Sequence, residues 1–150
     1  MGRRVAVWIA FLAGMCVAAD LAPGVREAAA ALQHGDFAAA ETKLRGELKL
    51  RPNDADAISL LGVVLDNEQK FEAAALQHRR AIAATPPSAR AFGNWGNHLL
   101  MTGDQRAARE AFQKAIAIDR TDRYANLQLA QMALAAKDTR GALVYLLLSS

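Results

Sequence analysis

Residues 55–88, ADAISLLGVVLDNEQKFEAAALQHRRAIAATPPS, and residues 89–122, ARAFGNWGNHLLMTGDQRAAREAFQKAIAIDRTD, are consecutive segments of equal length. Laid one on the other, they repeat the same chemistry. Leu61 falls on Trp95, Gly62 on Gly96, Ala74 on Ala108 and Pro86 on the Pro52 of the segment before. The echo extends outward in both directions at the same offset of 34 residues. Ala40, Ala74, Ala108 and Ala142 form an unbroken series, with Ala28 before Gly62 and Ala130 after Gly96 in another. Leu44, Phe112 and Leu146 agree in size, and His78 is the odd member of that series. Phe37 and Phe71 agree, while Gln105 and Thr139 depart. An internal period of this length is the mark of a stacked array of small units.

Each copy holds two apolar runs at helical spacing, as in Ile58, Leu61 and Leu65 followed by Ala74 and Ala81, with a polar break between them. The breaks are His34-Gly35-Asp36, Asn67-Glu68-Gln69-Lys70, Thr102-Gly103-Asp104 and Lys137-Asp138. Glycine there supplies the positive φ that ends one helix, and the aspartate after it caps the next. Pro52 and Pro86 stop the second helix of a pair, because proline cannot continue it. Helices of about a dozen residues are marginal alone in water, so they must stack.

This pattern resembles the tetratricopeptide repeat. The resemblance runs from about residue 21 to residue 150, as copies at 21–54, 55–88, 89–122 and a partial 123–150. It implies an all-α, right-handed α-solenoid of antiparallel helix pairs. In that architecture Ala40, Gly62, Ala74, Trp95, Gly96, Ala108, Phe112 and Ala142 are the structural repeat positions. The glycines inside helices cost about 1 kcal/mol each relative to alanine. That cost is understandable if Gly62 and Gly96 admit a close approach, with Ala74 and Ala108 as the facing small residues.

The resemblance also implies that the first helix of each pair lines a concave face that holds a protein or an extended peptide. Position by position, the candidates are Arg90, Asn94 and Asn97 in the third copy and Tyr124, Gln128 and Gln131 in the fourth. The second offers Asp56, Ser59, Val63 and Asp66, and the first Ala22, Val25, Arg26 and Ala29. Asn94 and Asn97 share a helix face, as do Gln128 and Gln131, and side-chain amides both donate to and accept from a peptide backbone. The family's carboxylate clamp for chaperone C-termini needs lysine and asparagine where Val25 and Ala29 stand, which disfavours that specificity.

The first residues read differently. Arg3 and Arg4 precede an uncharged apolar run from Val5 to Ala19, with Asp20 directly after it. The run is short for a membrane span, which takes about 20 residues, and it fits a secretory signal peptide cleaved after Ala19. The alternative is an uncleaved anchor formed by residues 5–19. Either way the chain is expected to be exported, to the periplasm or beyond, with a membrane association only if the segment stays. Cys16, the sole cysteine, comes after Met15 and lies three after Ala13, against the small residue and leucine of a lipoprotein signal. The mature 20–150 region would then hold no cysteine.

Chemistry is hard to find in the rest. His34, His78 and His98 lie in no recognised zinc spacing, so no metal site is expected, and His78 reads as a packing histidine. No nucleophile elbow or phosphate-cradling glycine loop is present, and Asp54 and Asp56 read as helix-start charges. No enzymatic role and no cofactor are expected. Hydrophobic residues are 53% and charged ones 22% of the 150, which suits a packed domain and excludes a disordered one. Removing Arg3 and Arg4 from 18 basic residues leaves 16 against 15 acidic, a balance that argues against nucleic acid.

Ala142 to Leu148, ALVYLLL, is strongly apolar, and part of it is expected to be bare. Further repeats after Ser150, or self-association, would cover it. The sequence is thus that of an exported protein- or peptide-binding scaffold. The alternative is an N-terminal accessory repeat domain of a larger envelope enzyme or of an assembly or secretion machine.

Overall fold

A computed structural model describes residues 21–150. The expected signal segment, its cleavage point and Cys16 lie outside the described residues. Eight helices succeed one another there: α1 Pro23–Gln33, α2 Phe37–Leu50, α3 Ala55–Asn67, α4 Phe71–Ile82, α5 Ala89–Met101, α6 Gln105–Ile118, α7 Arg123–Ala135 and α8 Thr139–Leu148. There is no strand among the described residues. None of these helices is long and apolar enough to cross a membrane.

Local chemistry sets the boundaries. Asp36, Asp54, Ser88, Asp104, Asp122 and Asp138 each accept a hydrogen bond from the backbone N–H three residues on, capping α2, α3, α5, α6, α7 and α8. Proline opens α1, where its missing N–H costs nothing. Within each pair the chain turns through one left-handed residue. Gly35 has φ 74° and Gly103 φ 91°, and at the same place in the other two pairs stand Gln69 at 62° and Lys137 at 60°.

The pairs α1–α2, α3–α4, α5–α6 and α7–α8 pack closely within themselves. Consecutive pairs join through α2 on α3, α4 on α5 and α6 on α7, while α1 meets α3 and α3 meets α5 directly. α1, α3 and α5 therefore run side by side along one face of the stack, and α7 reaches α5 through the Tyr124 side chain.

The core falls into two large apolar clusters. One joins Val25, Ala28, Ala40, Leu44, Leu61 and Ala74 of the first four helices. The other joins Leu99, Ala108, Phe112 and Leu129, with Trp95 and Tyr145 packed on it while half-buried. Between them, at the joint of the second pair with the third, Ile58, Ala81 and Ala91 form a small apolar patch with the partly buried Leu48 and Ile82.

Two packing expectations are corrected. The groups that Gly62 and Gly96 admit are not the alanines but the rings sixteen residues on. A Cβ at Gly62 would meet His78 at 2.7 Å, and one at Gly96 would meet Phe112 at 2.6 Å. Ala74 and Ala108 are fully buried nearby without being those closest neighbours. The second correction concerns Leu146. It does not fill the place held by Leu44 and Phe112: α8 turns the half-buried Tyr145 onto the core, leaving Leu146 exposed with Leu143, Val144 and Leu147.

Candidate functional site

The first helices α3, α5 and α7 carry the residues expected to meet a partner. Arg90 on α5 forms an ion pair of 2.9 Å with Asp56 on α3, both half-exposed. The Tyr124 hydroxyl on α7 donates to Asn97 Oδ1 on α5 at 3.0 Å. These two contacts tie three successive first helices together in a ladder of polar groups. Burial and nearby Asp122 push the Tyr124 phenol up to about 12, so it stays a neutral donor. Gln128 is half-buried and Gln131 exposed.

Asn94 is not part of that face, and this is a correction. It is 3% exposed, and its Nδ2 donates to the buried Ser59 Oγ at 2.9 Å across the α3–α5 joint. Ser59, Asp66 and Val25 likewise turn out to be buried. The reason is geometric. α3 and α5 each pack against both helices of the preceding pair, so two stripes of each are covered and only a narrow one faces outward. A spacing of three residues, 60° off a full turn, takes Asn94 into the joint and leaves Asn97 at its edge.

The joint between the second and third pairs holds a second constellation. Asp66 at the end of α3, His78 on α4 and His98 on α5 are 3%, 0% and 4% exposed. Asp66 Oδ1 accepts from His98 Nδ1 at 2.6 Å, and Oδ2 accepts from His78 Nε2 at 2.8 Å. Trp95 stacks on the His98 ring at 5.1 Å, and Arg79 lies over the Trp95 face at 5.9 Å. One donor atom from each of Asp66, His78 and His98 lies within 4.8 Å of the others, the spacing of a group able to hold a metal ion.

Sequence spacing missed this cluster, because its members lie 12 and 32 residues from Asp66 and on three different helices. The structure brings together three side chains whose meeting the spacing did not show. One signal was available: His78 interrupts a series in which Leu44 and Phe112 fill the same place.

Paired helices with left-handed turns, capped starts and a 34-residue period define the class. The fold is that of a tetratricopeptide-repeat solenoid. It is 33% identical over 85 residues to the type IV pilus assembly protein PilF of Pseudomonas aeruginosa. That match takes in 57% of this chain and 32% of PilF, so the chain spans about a third of that relative's length. Among solved structures, MamA 41-end from Desulfovibrio magneticus RS-1 matches with a TM-score of 0.62 at 27% identity, over 83% of this chain and 70% of that one. A Thermobaculum terrenum O-GlcNAc transferase mutant matches with a TM-score of 0.66 at 25% identity, over 73% of this chain but 21% of that one. No protein-family model matches the chain.

Proposed function

We propose that the chain is an exported scaffold that holds an extended segment of a partner protein along the face formed by α3, α5 and α7. The observation that supports this is the polar ladder of Asp56–Arg90 and Asn97–Tyr124, with Gln131 exposed beyond it. Arg90, Asn97, Gln128 and Gln131 offer both donors and acceptors to a peptide main chain, and Tyr124 supplies a ring edge beside them. Recognition through the main chain asks for few charges, and Asp56 and Arg90 are held in a mutual pair. Export rests on the cationic start and the apolar run that ends at Ala19. The likeness to a pilus assembly protein agrees with an envelope setting.

The second reading, an accessory domain of a longer enzyme or assembly machine, draws on the O-GlcNAc transferase likeness. There the match covers about a fifth of a longer chain. The apolar strip Leu143, Val144 and Leu147 on α8 would then pack on the adjoining domain.

Peptides selected from a random display library test the first reading. Alanine at both Gln128 and Gln131 is expected to weaken a selected peptide by about 1–3 kcal/mol while the melting curve barely moves. Undiminished binding by that double variant moves the site elsewhere.

A further inference from the structure

We propose that Asp66, His78 and His98 form a binding site for a divalent transition-metal ion that pins the second helix pair to the third. Three observations carry this. The donors are two imidazole nitrogens and a carboxylate, a set suited to zinc and its first-row neighbours and poorly suited to magnesium or calcium, which take oxygen. They arrive from α3, α4 and α5 and converge on one point inside a wall made by Trp95 and Phe71. Finally, His78 stands where the first and third pairs bury Leu44 and Phe112, and its Nδ1 is buried with no hydrogen-bond partner among the described residues. A polar ring at a register filled elsewhere by hydrocarbon is a poor choice for packing alone.

The geometry needs a small adjustment. Donors bound to a tetrahedral zinc at about 2.0–2.1 Å stand roughly 3.3 Å apart, so the 2.6 and 2.8 Å hydrogen bonds must open by roughly 0.7 and 0.5 Å. Side-chain rotation supplies that. The proton on His78 Nε2 moves to Nδ1, and that on His98 Nδ1 moves to Nε2, so each imidazole binds neutral and gives up its bond to Asp66. No partner on His78 Nδ1 holds the ring in the opposite tautomer. Asp66, bound through both oxygens, or a water completes the fourth position. Ligating histidines usually donate their second N–H to a carboxylate or carbonyl, and loss of such a partner weakens binding about 10–100-fold.

The test uses the untagged 150-residue chain, stripped with chelator and titrated with Zn²⁺ by calorimetry and with Co²⁺ by visible absorption. One equivalent of Zn²⁺ is expected, with the Co²⁺ bands of a four-coordinate site and a melting temperature that rises with added Zn²⁺. His78→Leu restores the residue type of Leu44, so it is expected to keep the fold by circular dichroism and to weaken Zn²⁺ at least tenfold. Asp66→Asn and His98→Gln are expected to do the same, whereas His34→Gln, in an exposed turn, leaves the titration unchanged. Absence of a one-equivalent Zn²⁺ isotherm in the wild-type chain overturns the proposal, and the cluster is then a proton-bridged joint. Equal binding by His78→Leu and His98→Gln overturns it too, since the ion then sits on the surface.

Discussion

Gly96 lies beneath the ring of Phe112, so close that a single methyl group on it would stand 2.6–2.9 Å from three ring carbons. Gly62 stands in the same relation to His78, one repeat earlier. The pairing of α5 with α6 and of α3 with α4 thus depends on an aromatic ring seated on bare backbone. Gly96→Ala is expected to destabilise by about 1–3 kcal/mol, because neither the ring nor the backbone can yield without unpacking a filled core. Gly46, inside α2 with nothing near its side-chain position, is the internal control. There alanine should stabilise by about 0.5–1 kcal/mol. Urea midpoints that move in opposite directions for the two substitutions support the pairing, and equal shifts oppose it.

The turn inside each pair demands a left-handed residue, and only two of the four copies supply glycine. Gln69 and Lys137 adopt φ values of 62° and 60° at the steric cost of a side chain. Gln69→Gly and Lys137→Gly are each expected to stabilise by about 0.5–1 kcal/mol, despite the greater freedom glycine gives the unfolded chain. For a chain of this size that is a rise in Tm of about 1–4 °C, read by circular dichroism. A fall in Tm for both contradicts the turn geometry.

Asp66 accepts hydrogen bonds from two buried imidazoles on different helices. Asp66→Ala removes both acceptors and leaves two buried N–H groups unpaired, so a loss of about 2–4 kcal/mol is expected in metal-free buffer. Glu110→Ala breaks only an exposed pair with Arg106 and should change stability by less than about 0.5 kcal/mol. Similar unfolding midpoints for the two variants would show that the joint does not depend on the cluster.

The Tyr124 phenol is held up to about 12 by burial, with Asp122 opposing the phenolate as well. Its ordinary value is near 10, so the unfolded chain ionises first as pH rises. The stabilisation is therefore fully present below about pH 10 and is lost as pH climbs from about 10 to about 12. In a Tyr145→Phe variant, which leaves Tyr124 as the sole tyrosine, ultraviolet absorbance should report titration close to pH 12 in the folded state. An inflection near 10 in folded protein would refute the burial of that hydroxyl.

The architecture was legible because it is written four times. Series such as Ala40, Ala74, Ala108 and Ala142 locate the buried face without a structure, and the aspartates of the turns mark helix starts. What the repeat does not encode is the third dimension at each joint. Gly62 and Ala74 both read as small residues on facing helices, yet the ring that fills the gap comes from one turn further along, at His78. Asn94 and Asn97 look equivalent on a helical wheel, but a neighbouring pair covers one and spares the other. The Asp66 cluster was invisible for a related reason. Its three members are spread over two copies and three different register positions, so no short motif contains them.

The claim that the first helices form the partner-binding face is tested most directly by amide chemical-shift mapping with a library-selected peptide. Perturbations concentrated at Arg90, Asn97, Tyr124 and Gln131, spanning α5 and α7, are the predicted result. Perturbations confined to α2, α4 and α6, or to the apolar strip of α8, would contradict it.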